Sequence, residues 1–191
     1  MPVFSKKSKL RTLDLSHNLL TIIPKQLGVF SRLWSLNLSY NELTEVDENI
    51  PLQNIGRLEL KKNQLTNFTL SNQFNKIKYL QLSQNKIEKF TIKDNDCSLY
   101  ELILSDNHLI EVPYELSLAN KNIYLADFSN NQIRELTTKI FNIGRTVKLN
   151  NNLIEKLPER FSERVTKNNQ RFYLKNNPLK RSPKSTGNIY L

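Results

Sequence analysis

One short phrase recurs along this chain every 21 to 25 residues: an apolar residue, two variable ones, leucine-x-leucine, and an asparagine three residues further on. Aligned on that asparagine, the phrase is found eight times. It reads LRTLDLSHNLL from Leu10, LWSLNLSYNEL from Leu33, IGRLELKKNQL from Ile55 and IKYLQLSQNKI from Ile77. It continues as LYELILSDNHL from Leu99, IYLADFSNNQI from Ile123, GRTVKLNNNLI from Gly144 and NQRFYLKNNPL from Asn169. A unit this short cannot bury its apolar side alone, so it must stack on its neighbours into an elongated array. The composition follows from the repeat, for 31 of the 191 residues are Leu and 25 are Asn.

Each position in the phrase has a physical job. Alternation such as Leu13 and Leu15, or Leu80 and Leu82, puts two apolar side chains on one face of a short strand, with Asp14 or Gln81 on the other. The column Asn18, Asn41, Asn63, Asn85, Asn107, Asn131, Asn152 and Asn177 stands where strand gives way to loop. A buried amide offers two donors and one acceptor to backbone groups, so this column is expected to form a structural ladder. A second register follows in the return segments: Ile23, Val46, Phe68, Phe90, Val112, Leu136 and Leu157, then Leu27, Ile50, Leu116, Ile140 and Phe161. Asn72 and Asp94 interrupt the latter column behind rows three and four, where Phe68 to Leu70 and Phe90 to Ile92 alternate like strands. Short helical turns are therefore expected behind rows one, five, six and seven, and extended segments behind rows three and four. Pro24, Pro113 and Pro158 fix the chain's exit into the return segment.

The phrase resembles the signature of the leucine-rich repeat superfamily, L-x-x-L-x-L-x-x-N-x-L, over Leu10 to Leu179. The resemblance implies an α/β solenoid: a curved right-handed horseshoe arc with a parallel concave β-sheet and short helical or extended convex segments. Gly144 and Asn169 replace the first leucine of the last two rows and Ala126 the second leucine of row six, which reads as decay toward a capping repeat. Residues 1–9 read as a partial earlier repeat or cap, 10–179 as eight repeats and 180–191 as a basic tail. Val3 and Phe4, or Ile189, Tyr190 and Leu191, are candidates to fold over the ends of the stack. The last row ends in NNPL, which resembles the start of the cysteine-rich cap of extracellular members, but the cysteines are missing.

Little in the chain suits catalysis. His17 and His108 stand four strands apart, roughly 19 Å, too far to share a metal. Its four glycines form no phosphate-cradling loop, and G-x-S-x-G and H-E-x-x-H are absent. Asp14, Glu59, Glu101 and Asp127 fall in separate rows with no base or nucleophile beside them. No catalytic residue, cofactor or metal ligand is expected. No run of about 18 apolar residues occurs, and the first nine residues show no secretory signal. The single cysteine, Cys97, excludes an intramolecular disulfide and reads as a structural thiol, so a cytoplasmic setting is expected. Two sequons, at Asn37 and Asn67, carry no weight at this asparagine content.

What remains is surface. The sheet should expose two columns, one running through Thr12, Ser35, Arg57, Tyr79, Glu101 and Leu125, the other through Asp14, Asn37, Glu59, Gln81, Ile103 and Asp127. Folding does not require Tyr79, Ile103 and Leu125 to be apolar there. Rimmed by Arg57, Glu59, Glu101, Asp127 and Lys148, they have the composition of a protein-binding hot spot. Protein recognition is also what the family resemblance implies, so a non-catalytic adaptor binding a protein partner through the concave sheet is the leading expectation. The net charge of +10 is uneven: residues 134–191 hold 13 Lys and Arg against 4 Asp and Glu. The alternative is therefore binding of a polyanion, nucleic acid or an acidic surface, through Arg171, Lys175, Lys180 and Arg181. A fragment of a receptor-type ectodomain ranks third.

Overall fold

The computed structural model describes residues 9–93, 98–119, 123–184 and 186–191. Val3, Phe4, Asp94 and Cys97 lie outside the described residues. Along the chain the strands are β1 (Thr12–Asp14), β2 (Ser35–Asn37), β3 (Arg57–Glu59), β4 (Asn67–Leu70), β5 (Tyr79–Gln81), β6 (Lys89–Ile92), β7 (Glu101–Ile103), β8 (Leu125–Asp127), β9 (Thr146–Lys148), β10 (Arg171–Tyr173) and β11 (Ile189–Tyr190). All but β4 and β6 join one parallel sheet of nine strands in sequence order. The register is strict: Leu13, Leu36, Leu58, Leu80, Leu102, Ala126, Val147 and Phe172 stand directly beside one another. Their side chains point inward, and those from Leu36 to Phe172 are essentially sealed from water.

The strands are short because the residue before each ladder asparagine turns the chain left-handed. His17, Tyr40, Lys62, Gln84, Asp106, Asn130, Asn151 and Asn176 all have φ between 54 and 59°. That turn swings the next residue inward. From Asn41 to Asn177, each amide oxygen accepts the N–H of the preceding row's last apolar residue, and each Nδ2 donates to a carbonyl of its own row and one of the preceding row, at 2.8–3.1 Å. Asn18, in the first row, is exposed and among the described residues donates only within its own row, to Leu15 and Ser16.

The return side varies as the second apolar register varies. Short 3-10 helices at Lys25–Val29 and Thr138–Asn142, with α1 (Leu116–Ala119) and α2 (Phe161–Lys167), lie behind rows one, six, five and seven. They bury Leu27, Ile140, Leu116 and Phe161. Behind rows three and four, β4 and β6 pair in parallel as a second, two-stranded sheet, with Phe68 and Phe90 stacked at 5.8 Å. Asn72 ends that strand by opening a 3-10 turn, Asn72–Phe74, that buries Phe74.

The irregular last rows are compensated rather than decayed. Gly144 lies so close to row six that a Cβ would stand 3.0 Å from the Ile123 carbonyl oxygen, and the neighbouring Ile143 supplies the buried apolar side chain. In row eight the buried residue is Gln170, whose Nε2 donates to the Phe141 and Gly144 carbonyls at 3.0 and 2.6 Å. Ala126 is followed by buried Phe128, a larger ring one step along the same face. Beyond row eight the chain returns to the sheet: β11 pairs with β10 and stacks Tyr190 on Tyr173 at 4.4 Å.

Candidate functional site

The outward face of the sheet carries one residue from each end of every three-residue strand. The candidate partner-binding residues stand on five consecutive strands: Arg57 and Glu59 on β3, Tyr79 on β5, Glu101 and Ile103 on β7, Leu125 and Asp127 on β8, and Lys148 on β9. All are half-buried except Asp127, which is buried. Ile103 and Leu125 are diagonal neighbours on paired strands, a separation side chains of this size bridge. Tyr79 stands in the same diagonal relation to Ile103 across β5 and β7, so Ile103 links it to Leu125, but Tyr79 and Leu125 do not abut. In a parallel register each residue abuts its counterpart in the next row, and row five places Glu101 between Tyr79 and Leu125.

Tyr79 also belongs to a row of rings along the leading edge of the sheet. Trp34 meets it edge-on at 6.3 Å, Tyr100 edge-on at 5.9 Å, and Tyr124 stacks on Tyr100 at 5.2 Å with the planes 4° apart. Trp34, Tyr100 and Tyr124 are all more than two-fifths exposed. The Arg57 guanidinium lies 4.3 Å over the Tyr79 ring, a cation–π contact, and 3.6 Å from the Glu59 carboxylate. Trp34 is the member that sequence reasoning missed, because it precedes the two alternating columns. The signal was in its own column: Gly56 follows Trp34 one row on, and a Cβ there would come within 2.1 Å of the indole Nε1. Gly56 is the seat of the Trp34 ring.

Several polar residues on this face already serve the fold. Asp127 accepts the Ser129 N–H at 3.0 Å and pairs with Lys148 at 3.2 Å. Asp14, Asn37 and Gln81 likewise accept the N–H two residues on, closing the end of each strand. For Asp14 those bonds from Ser16 hold the carboxyl below its ordinary range. Asp127 and Lys148 thus offer a partner a neutralised pair rather than two free charges.

The four cations of the alternative site do not converge. Arg171 and Lys175 are exposed along β10 and just after it. Lys180 pairs with Glu155, and both it and Arg181 line a separate cleft with Pro158, Arg160, Ser162 and Pro183. Among the described residues no three His, Cys, Asp or Glu side chains gather as metal ligands, and no helix is long and apolar enough to cross a membrane.

A leucine-rich repeat family model matches residues 2–43. No curated protein sequence matches the chain. Among solved structures, a Leptospira interrogans leucine-rich repeat protein is 28% identical and superposes with a TM-score of 0.77 over 94% of this chain and 48% of its own. The chain thus spans about half the length of that protein. The leucine-rich repeat domain of a Shigella effector (22% identity, TM-score 0.68, 95% of this chain and 81% of that one) shares the fold. So does TLR13 in its complex with ssRNA13 (23%, 0.74, 92% and 26%). Eight phrases in one register, the in-line parallel sheet and these likenesses show that the chain has the leucine-rich repeat fold.

Proposed function

We propose that this chain is a non-catalytic adaptor, working in the cytoplasm, that binds a protein partner through the outward face of its sheet. The observation that carries the reading is the surface running from the Trp34–Tyr79–Tyr100–Tyr124 ring row to Ile103 and Leu125. Large rings held in place by one another lose little rotamer freedom on binding, which is why such residues dominate protein interfaces. Tyr79, Ile103 and Leu125 are the anchors, and Arg57, Glu59 and Glu101 discriminate between partners. Asp127 and Lys148 act as a pair.

The test compares affinity capture by wild type and a Tyr79→Glu, Ile103→Glu, Leu125→Glu variant from a lysate of the source organism, once both show the same circular dichroism and melting. A protein retained by wild type at 0.5 M salt and lost by the variant supports the reading. Trp34 is the only tryptophan, so its emission should also shift when that protein is added. Polyanion binding through Arg171, Lys175, Lys180 and Arg181 competes with this reading, and TLR13 is a protein of this fold solved with ssRNA13. It predicts that both proteins capture nucleic acid and release it steeply with salt. That outcome would reverse the ranking.

A further inference from the structure

The sheet face changes character between rows six and seven. In rows one to six its outward positions carry the acids Asp14, Glu59, Glu101 and Asp127 beside the cations Arg57 and Lys61, whereas rows seven and eight present Thr146, Lys148, Asn150, Arg171, Tyr173 and Lys175 with no acid among them, and Arg145 at the leading edge. Lys148 is neutralised by Asp127. Arg145, Arg171 and Lys175 are exposed, and among the described residues no carboxylate pairs with any of them. Among the described residues, three cations without a carboxylate partner thus lie one to two strands beyond the apolar pair Ile103–Leu125, along the same continuous sheet.

We infer that the partner segment received by this face is an acidic peptide in extended form, with one apolar residue seated on Ile103 and Leu125 and its carboxylates on Arg145, Arg171 and Lys175. This rests on the protein-binding reading above and adds the partner's chemistry to it. Leu125, Thr146 and Arg171 are in register on adjacent strands, so Leu125 and Arg171 stand two strand spacings apart, about 10 Å. An extended peptide advances about 3.3 Å per residue, which puts the first Asp or Glu about three residues from the apolar anchor. Lys175 stands just beyond the end of β10, four residues and at most about 13 Å from Arg171, so the two flank a segment crossing the strands between them. Around Arg171 and Lys175 a single-stranded nucleic acid finds fewer open ring faces to stack on than along the Trp34, Tyr100 and Tyr124 edge. The rings of Tyr173 and Tyr190 are stacked on each other at 4.4 Å, and Phe172 is buried.

The test is selection of a phage-displayed random 12-residue peptide library on the immobilised full chain, run beside an Arg145→Glu, Arg171→Glu, Lys175→Glu variant and an Ile103→Glu, Leu125→Glu variant. All three proteins must melt alike. Wild type should enrich peptides with an apolar residue followed or preceded, two to four positions away, by Asp or Glu. The charge-reversed variant should lose the acidic preference while keeping the apolar one. A synthetic peptide of the selected consensus should bind it about tenfold more weakly, given the modest worth of each exposed pair. Peptides lost on the Ile103 and Leu125 variant but carrying no acidic excess, or an excess unchanged by charge reversal, would overturn this inference and leave the protein-binding reading standing. No selection above uncoated beads, or preferential binding of a 20-nucleotide oligothymidylate that charge reversal abolishes, would overturn both.

Discussion

The two halves of the molecule make the same turn with different chemistry. At the left-handed position rows one to four carry His17, Tyr40, Lys62 and Gln84, and rows five to eight carry Asp106, Asn130, Asn151 and Asn176. Asp and Asn tolerate positive φ because a short polar side chain can bond locally, whereas other side chains resist it by about 1–2 kcal/mol. In the later rows these side chains also link row to row: Asn130 donates to Asp106 at 2.9 Å, Asn151 to Asn130 at 2.5 Å and Asn176 to Asn151 at 2.7 Å. The earlier rows offset the strain through rings and cations, with His17 stacked on Tyr40 at 4.2 Å and the Lys62 ammonium 5.0 Å from the Tyr40 ring. The backbone conformation is set by the stack, and the side chains accommodate to it.

The comparison can be broken hardest where both halves share one device. Asn107→Ala leaves the Ile87 N–H unpaired in the core and removes one of two ladder donors from each of the Leu82 and Leu104 carbonyls, which still accept from Asn85 and Asn131. At about 1–3 kcal/mol for the buried group left without a partner, plus about 1 kcal/mol for each further bond lost, a loss of roughly 2–4 kcal/mol by urea denaturation is expected, against less than about 1 kcal/mol for the exposed Asn18→Ala. The turn column should then separate the halves. Asn151→Val removes two inter-row bonds and puts a β-branched residue at φ 54°, costing about 2 kcal/mol, while Gln84→Asn should stabilise by about 1 kcal/mol. If both substitutions had the same sign, the turn would not be under the strain described. Gly56→Ala should unseat the Trp34 ring, red-shifting its emission and destabilising by about 1 kcal/mol, the low end of overpacking a buried position.

The smallest effect distinguishes the halves by salt. Hydrogen bonds from Ser16 and Asn49 depress Asp14 and Asp47, whereas Lys180 and Arg160 depress Glu155 and Glu163. A carboxyl whose folded pKa lies below its unfolded value adds stability above the unfolded value, near 4, and loses it as pH falls through the folded one. The melting temperature should therefore hold from pH 7 to about 5 and decline below about 4. In carboxyl-resolved NMR titrations, 0.5 M salt should move Glu155 and Glu163 upward more than Asp14, because ion pairs are screened and Asp14 is held chiefly by Ser16.

The sequence made the repeat, the strands and the alternation of helical and extended backs legible, because each depends on where apolar residues fall. Asn72 was enough to separate a paired strand from a helical turn. Backbone accommodations were not legible: nothing in Tyr40 or Lys62 announces positive φ, and Gln170 looks like a surface residue until two carbonyls face it. Ile189 and Tyr190 were legible as candidates to cover the end of the stack, but not as a further strand paired with β10, since no leucine phrase introduces β11. At the candidate site the columns followed from alternation, but the separation of Tyr79 from Leu125 depends on which residue abuts which across strands. Trp34 needed Gly56, a residue whose contribution is empty space.

The direction in which the asparagines reach makes each coil depend on the one after it. Asn85 completes the Leu65 N–H and Leu60 carbonyl of the row before it, as Asn107 does for Ile87 and Leu82. A coil therefore has its full set of ladder bonds only when the next coil is in place, so an array cut back at any row leaves its new last turn open.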